Sequence, residues 1–160
     1  MYSPVHATAG LLIATVMPDP MSAALAGIAS HYLLDAVPHG DTHFGAWLTG
    51  GHAKRRILTI ESVDLGLATM VVLALLLAHP EQSWIKLVAG AIGGVLPDLL
   101  WGFRFVVDSS FGHIPFLTSA LHAHDRWHSW GHAKHAYDIP FTVGLLLQAL
   151  VLGVVLFLQL

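Results

Sequence analysis

The chain has 160 residues, 55% hydrophobic and only 11% charged, with a formal net charge of -3. A typical soluble domain carries about 25% charged residues, so this composition excludes intrinsic disorder and points away from a water-clothed globule. With 7 Lys+Arg against 10 Asp+Glu, a strongly basic nucleic-acid binder is excluded as well.

The first apolar run, 5–17, is too short to cross a bilayer. It precedes Pro18-Asp19-Pro20 and is expected to be a half-helix folded back on the next element. It lacks a basic leader region and is read as part of the mature protein rather than a signal peptide. Residues 20–37, 57–78, 84–106 and 139–160 are long enough, or nearly so, to span ~30 Å of hydrocarbon as helices. The expected fold is all-α. It is a single integral membrane domain over 1–160, a polytopic bundle of four to five transmembrane or half-membrane helices plus an interfacial His-rich helix.

Two polar segments, 38–56 and 107–138, separate these runs, and 79–83 is a short turn. If 57–78 and 84–106 both cross, the polar segments emerge on one side. Lys54, Arg55, Arg56, Arg126 and Lys134 lie there, against Lys86 near the turn, so the positive-inside bias puts that side in the cytoplasm. A gap-free echo aligns Ala26–Asp35 with Ala89–Asp98. Both segments are rich in small residues that permit close helix packing, and both end in aspartate.

Ionisable residues inside membrane helices face a bundle interior, a partner or a cavity. Here His31, Asp64 and Asp98 fall roughly 10 Å below the same face, with Asp35 and Glu61 nearby, and His6 returns to that face if the first run hairpins. The last helix has no ionisable group. Acids and imidazoles thus gather on one side. Asp64 and Asp98 are expected to be neighbours on antiparallel helices, with Gly66, Gly93 and Gly94 allowing their approach. Asp98 or Asp64 acting as a helix cap is the structural alternative.

His31 and Asp35 stand one turn apart, with His39 four residues on but beyond Pro38 and therefore in a loop. Imidazole and carboxylate are ligands that zinc and other first-row divalent metals accept. His124, His128 and His132 repeat every four residues and share a helical face beside Trp127 and Trp130, residues suited to a membrane interface. His43, His52, His79 and His113 read as solvated. The chain has no cysteine, no G-x-S-x-G, no phosphate-cradling Gly loop and no H-E-x-x-H, which leaves disulfides, thiolate sites, serine-hydrolase and P-loop chemistry without support.

Val5-His6-x3-Gly10, Met17-Pro18-Asp19, His31-Tyr32-Leu33-Leu34-Asp35-x2-Pro38-His39 and Gly94-Val95-Leu96-Pro97-Asp98 resemble the membrane-bound metal-dependent hydrolases of bacteria and archaea. His124-Asp125-Arg126-Trp127-His128-Ser129 resembles their His-Arg and Thr-His-Ser signature, but here it comes late in the chain and is offset by a residue. A more distant likeness is to the zinc-dependent phospholipase C and single-strand nuclease superfamily, matched by His31, Asp35, Pro38 and His39. The resemblance implies metal chemistry and a prokaryotic inner-membrane location.

The resulting expectation is hydrolysis of a phosphoester, on a lipid or another small phosphorylated substrate, at the cytoplasmic leaflet. The expected metal ligands are His6, His31, Asp35, His39, Asp64, Asp98, His124 and His128. Arg126 and Glu61 are the expected catalytic residues, with Arg126 holding a phosphate oxygen. The cofactor would be a divalent metal, zinc first, then manganese or iron. Expected partners are membrane lipids and a second copy of the chain, with no nucleic acid. The rival reading is a non-catalytic membrane protein, either a metal or proton transport component or a regulatory or assembly factor.

Overall fold

The structure, a computed structural model, describes residues 1–40, 52–111 and 139–159 together with 115, 119, 122 and 126; for 53, 54 and 104–111 it describes the backbone alone. Among the described residues the helices with both ends placed are, in order, α1 Ser3–Val16, α2 Pro20–Asp35, α3 Ala53–Ala78, α4 Trp84–Phe111 and α5 Phe141–Phe157. No strand occurs among the described residues. The helices begin and end within a few residues of the apolar runs, except that α3 starts and α4 ends well inside the polar segments. The isolated residues Pro115, Ser119, His122 and Arg126 are helical and exposed.

The break between α1 and α2 has a local cause. Pro20 cannot donate a helical hydrogen bond and occupies the first turn, where none is needed. Asp19 caps that turn, accepting from the backbone N–H of Met21 at 2.9 Å and of Ser22 at 3.0 Å, while Ser22 Oγ answers the Asp19 backbone N–H at 3.3 Å. This reciprocal cap satisfies donors that α2 would otherwise leave open.

The contacts fix the direction of every helix. Gly27 lies against Gly90, His31 against Gly94, and Asp35 and Asp98 meet the same two imidazoles, so α2 and α4 run parallel in constant register. That register is the one in which Ala26–Asp35 aligns with Ala89–Asp98. α1 runs against α4, with His6 beside Gly94 and Gly10 beside Gly90. α3 starts where α4 is completing its passage, with Glu61 beside Gly102. α5 starts at the same end, with Gly144 against His39. α2 and α4 thus run toward one end of the bundle, and α1, α3 and α5 start from it.

The tightest packing is α2 and α1 on α4. A Cβ added at Gly90 would strike the Gly10 carbonyl, one at Gly93 the Ala24 carbonyl, and one at Gly94 the His6 carbonyl. These backbones touch because no side chain stands between them. Gly66, expected to help α3 close on α4, meets nothing within 4 Å. The close approach is made by Gly90, Gly93 and Gly94 toward α1 and α2 instead, because α3 turns the Gly66 edge outward. Beneath the polar end, Leu11, Ala14, Ala23, Leu87, Ala91 and Val95 form the apolar core.

Among the described residues, two helices are long and apolar enough to cross a membrane: Arg55–Ala78 with mean hydropathy 2.0, and Trp84–Phe103 with mean hydropathy 1.4. Only 11% of the apolar window in the first is buried inside the bundle. Leu67, Met70, Leu73 and Leu77 of α3, like Leu146, Leu150 and Phe157 of α5, are exposed.

Candidate metal centre

The site forms where the start of α1 meets the ends of the α2 and α4 Gly/Ala segments. His6 enters from the first turns of α1, His31 and Asp35 from the last turns of α2, and Asp98 from α4. One nitrogen of His6, one of His31 and one Asp98 oxygen all lie within 4.8 Å of one another. Asp35 closes the group, with Oδ1 at 3.2 Å from His6 Nε2 and Oδ2 at 3.2 Å from His31 Nε2. Asp98 faces the same nitrogens at longer range, Oδ2 at 3.9 Å from His6 and Oδ1 at 3.7 Å from His31. The two imidazoles lie with centroids 4.2 Å apart and planes tilted by 32°.

The tautomer of His31 follows from its neighbour. The Gly94 carbonyl, 2.9 Å from His31 Nδ1, can only accept, so Nδ1 carries the hydrogen and Nε2 is the nitrogen turned toward the carboxylates. Pro97 sits in the same stretch of α4, where it removes one rung of the helical ladder. A backbone carbonyl on one ring nitrogen with the other aimed at anionic oxygens is the arrangement that orients metal-binding histidines. In a neutral imidazole that second nitrogen is a lone pair. A lone pair facing two carboxylates requires a cation between them, whether a proton or a metal ion.

The two cations ask for different spacings. N–H···O hydrogen bonds run 2.7–3.2 Å, whereas ligands about 2.0–2.1 Å from a tetrahedral ion stand roughly 3.4 Å apart. The two Asp35 distances, both 3.2 Å, fit either cation, and the two Asp98 distances, 3.7 and 3.9 Å, are too long for a hydrogen bond and nearer the second figure. His6 adds a further sign: it is fully buried, and its Nε2, the nitrogen that faces both carboxylates, makes no hydrogen bond among the described residues. A buried polar atom without a partner calls for an explanation.

Exposure gives the site a direction. The side chains of His6 and His31 are 0% exposed and that of Asp35 is 3%, but that of Asp98 is 28%. The opening is therefore on the α3–α4 side, and Glu61 borders it. Its carboxyl carbon lies 3.7 Å from where a Cβ on Gly102 would stand, within the electrostatic reach of Asp98 and Asp64.

The other expected site residues fall as follows. Asp64 Oδ2 accepts from the Ser3 backbone N–H at 2.8 Å, so its carboxylate caps α1 from a neighbouring helix. His39 lies past the end of α2; its Nδ1 donates to the Val37 carbonyl at 2.8 Å, and its Nε2 is 3.3 Å from the Met1 amine. Arg126 is exposed, with Nε donating to the His122 carbonyl one turn back. His52 is exposed and His79 half-buried, 3.5 Å from Glu81. His124 and His128 lie outside the described residues, as do His43, His113 and His132.

Two groups at the site were not among the expected residues. The Met1 amine donates to Asp35 Oδ1. Gln148, buried in the otherwise apolar α5, accepts from the Tyr2 N–H at 2.7 Å and donates to the His39 carbonyl at 3.4 Å. A lone glutamine in an apolar helix is the available sequence signal, and a count of ionisable groups passes over it.

Comparison of the chain with protein-family models, with curated proteins and with solved structures finds no match.

Proposed function

We propose that the chain is an integral membrane protein carrying a divalent-metal centre, and that it hydrolyses a phosphoester at the cytoplasmic leaflet. The observation that carries this reading is the His6, His31 and Asp98 group, closed by Asp35, at a spacing suited to ligands of one ion. The exposed apolar faces of α3 and α5 support the membrane setting. Lys54, Arg55, Arg56, Arg126 and Lys134 support the orientation.

His6, His31 and Asp98 would hold the ion, with Asp35, which faces the same two Nε2 atoms, as a further ligand. A bound divalent cation lowers the pKa of water and polarises phosphoryl oxygens. Zinc suits the mixed imidazole and carboxylate donors, and manganese or iron would also be accepted. Asp98, the exposed member, faces arriving substrate. Glu61, bordering the same opening, stands where it can take and return a proton. The closed sides contributed by α1 and α2 exclude water from behind.

A transport role is the rival, and it needs polar groups through the depth of the bundle. Directly beneath the cluster stand Leu11, Leu87, Ala91 and Val95, all buried. That apolar floor favours chemistry at one face over passage.

The test is metal analysis of the detergent-purified chain together with hydrolysis of a chromogenic phosphodiester. Stoichiometric zinc, manganese or iron is expected, lost in His6→Ala and Asp98→Asn and reduced in Asp35→Asn, with hydrolysis falling in parallel. Unchanged metal content in His6→Ala and Asp98→Asn would overturn the site. Retained metal with no hydrolysis in the native chain would favour the non-catalytic reading.

A further inference from the structure

The level of the His/Asp group along the bundle can be compared with the level at which the outward faces stop being apolar. On α4, Phe103 is exposed and stands roughly 7 Å further toward the end of the bundle than Asp98, at ~1.5 Å per residue. On α3, Glu61 lies beside Gly102, itself a turn beyond Asp98, and Leu58 and Val63, on either side of Glu61 in sequence, are both exposed. Because α3 runs against α4, Leu58 is further out than Glu61. On α5, Phe141 and Val143 are exposed and precede Gly144, which meets His39 beyond the end of α2. The apolar outer surface thus continues past the cluster on three helices. Moving outward along α3, an exposed charged side chain is first met at Arg55, nearly a turn beyond Leu58.

Two further observations agree. Ser62, exposed on α3 near the level of the cluster, turns its hydroxyl onto its own helix and donates to the Leu58 carbonyl at 2.6 Å; Thr69 does the same to Leu65 at 2.8 Å. Outward hydroxyls satisfied by their own backbone need no water. Along α4, Trp84 is exposed at the start, and Trp101 stands roughly 26 Å from it, close to the ~30 Å of a hydrocarbon core. Tryptophan gathers at both edges of that core. Asp98 lies less than a turn inside Trp101.

We infer that the His6, His31 and Asp98 centre lies beneath the headgroup layer and takes a lipid-borne phosphoester in preference to a water-soluble phosphate. The inference rests on the proposed metal centre and names its substrate class. An ionised phosphate is costly to carry below an apolar surface unless a cation receives it. A soluble phosphate must leave water altogether to reach that cation. A lipid already holds its ester at the edge of the acyl layer, and each methylene it keeps there adds to binding. Asp98, partly exposed at a level where the outward residues are apolar, is where such a headgroup would meet the ion.

The test has two arms, both on the full chain. The first measures depth in lipid vesicles, using single cysteines in this cysteine-free chain and a charged maleimide present on both sides of the bilayer. Arg55→Cys is expected to react at least about tenfold faster than Val63→Cys or Phe103→Cys, since the reactive thiolate is disfavoured in apolar surroundings. Equal rates would overturn the inference.

The second arm measures binding to the metal-loaded chain in neutral detergent. The probes are dihexanoyl phosphatidic acid, glycerophosphate, which has the phosphate without the chains, and dihexanoylglycerol, which has the chains without the phosphate. Phosphatidic acid is expected to bind at least about tenfold tighter than either, and to lose that advantage in His6→Ala. Glycerophosphate binding as tightly overturns the substrate class. Dihexanoylglycerol binding as tightly, or a full advantage kept in His6→Ala, overturns it as well, because the ion would then play no part. Metal content and cleavage of the chromogenic phosphodiester, whose aryl arms are apolar, read the proposed function separately. A chain that holds zinc and cleaves that compound, yet binds glycerophosphate as well as phosphatidic acid, keeps the function and loses this inference.

Discussion

The inner helices α1, α2 and α4 and the outer helices α3 and α5 are held by different means. The inner three meet backbone to backbone at Gly10, Gly27, Gly90, Gly93 and Gly94, and they carry every member of the His/Asp group. The outer two present exposed leucines, valines and phenylalanines; α3 adds Ala68 and Leu75 to the apolar core, and polar side chains tie both helices to the inner three as well. Asp64 holds Ser3, Gln148 holds Tyr2 and His39, and Gln159 donates to the Thr8 carbonyl at 3.3 Å. If the bundle lies in lipid, as proposed, apolar area gives no preference for a protein neighbour over an acyl chain. The backbone contacts of the glycines then hold the inner helices most closely, and a cluster needing fixed geometry belongs on that set.

The largest expected effect breaks the inner set. Gly94→Val places side-chain atoms against the His6 carbonyl, where even a Cβ does not fit. Both backbones would have to part, at a cost of about 3 kcal/mol by analogy with overpacked cores. The same separation moves His6 from His31 and should abolish metal retention. Gly66→Ala on α3 is the matched control. It meets nothing within 4 Å and should gain up to about 1 kcal/mol from helix propensity. Denaturant unfolding in micelles reads both, and comparable losses in the two variants would erase the distinction between inner and outer helices.

Much of this division can be read from the residues. Helix existence follows from apolar runs, and the α1–α2 break from Pro18-Asp19-Pro20, because both signals are local. His31 and Asp35 share a site because i, i+4 spacing sets it, and the Ala26–Asp35 echo anticipates the register of α2 on α4. What could not be read is which helices would be neighbours. Membrane-type helices are alike in composition, so Gly66 looked as suited to close packing as Gly93. Depth likewise placed Asp64 and Asp98 together without distinguishing the carboxylate that caps Ser3 from the one that faces His6 and His31. Gln148 was passed over because its role lies in satisfying backbone groups of two distant segments.

A smaller effect is expected where an outer helix is tied in. Gln148→Leu leaves the Tyr2 N–H and the His39 carbonyl without their partner, and an unsatisfied buried group costs about 1–3 kcal/mol. The lower part of that range is expected here, since one of the two bonds is long. Because Tyr2 precedes α1 and His39 follows α2, metal affinity should fall as well, although Gln148 touches no member of the His6, His31 and Asp98 group. Gln159→Leu removes one bond between segments, to the Thr8 carbonyl, instead of two and should cost less, about 0.5–1.5 kcal/mol, with metal affinity unchanged. Metal titration alongside unfolding measures both. Equal affinities in the two glutamine variants would deny Gln148 a positioning role.

The smallest effect lies at the far end of the bundle, where α2 begins. Hydrogen bonds from Ser22, backbone first and then hydroxyl, hold the Asp19 carboxyl below its ordinary value of 3.8, with the Met21 N–H adding to them. A carboxylate whose pKa is depressed by folding contributes stability that is fully present above its unfolded pKa. That stability is lost as pH falls through the folded value. The native chain should therefore lose the cap contribution only below about pH 4. Asp19→Asn keeps an oxygen that can accept from the same N–H groups but does not titrate, and Asn is as good a cap as Asp. The two proteins should unfold alike at neutral pH, and the native chain should lose more on acidification. Taking the difference between them at each pH cancels the titration of the histidines and the inner carboxylates, which both share. Asp19 is fully exposed, so the difference should be small and should shrink further in high salt. A parallel pH response in the two proteins would mean that the cap is held by the Ser22 hydroxyl and the Pro20 backbone rather than by the carboxylate charge.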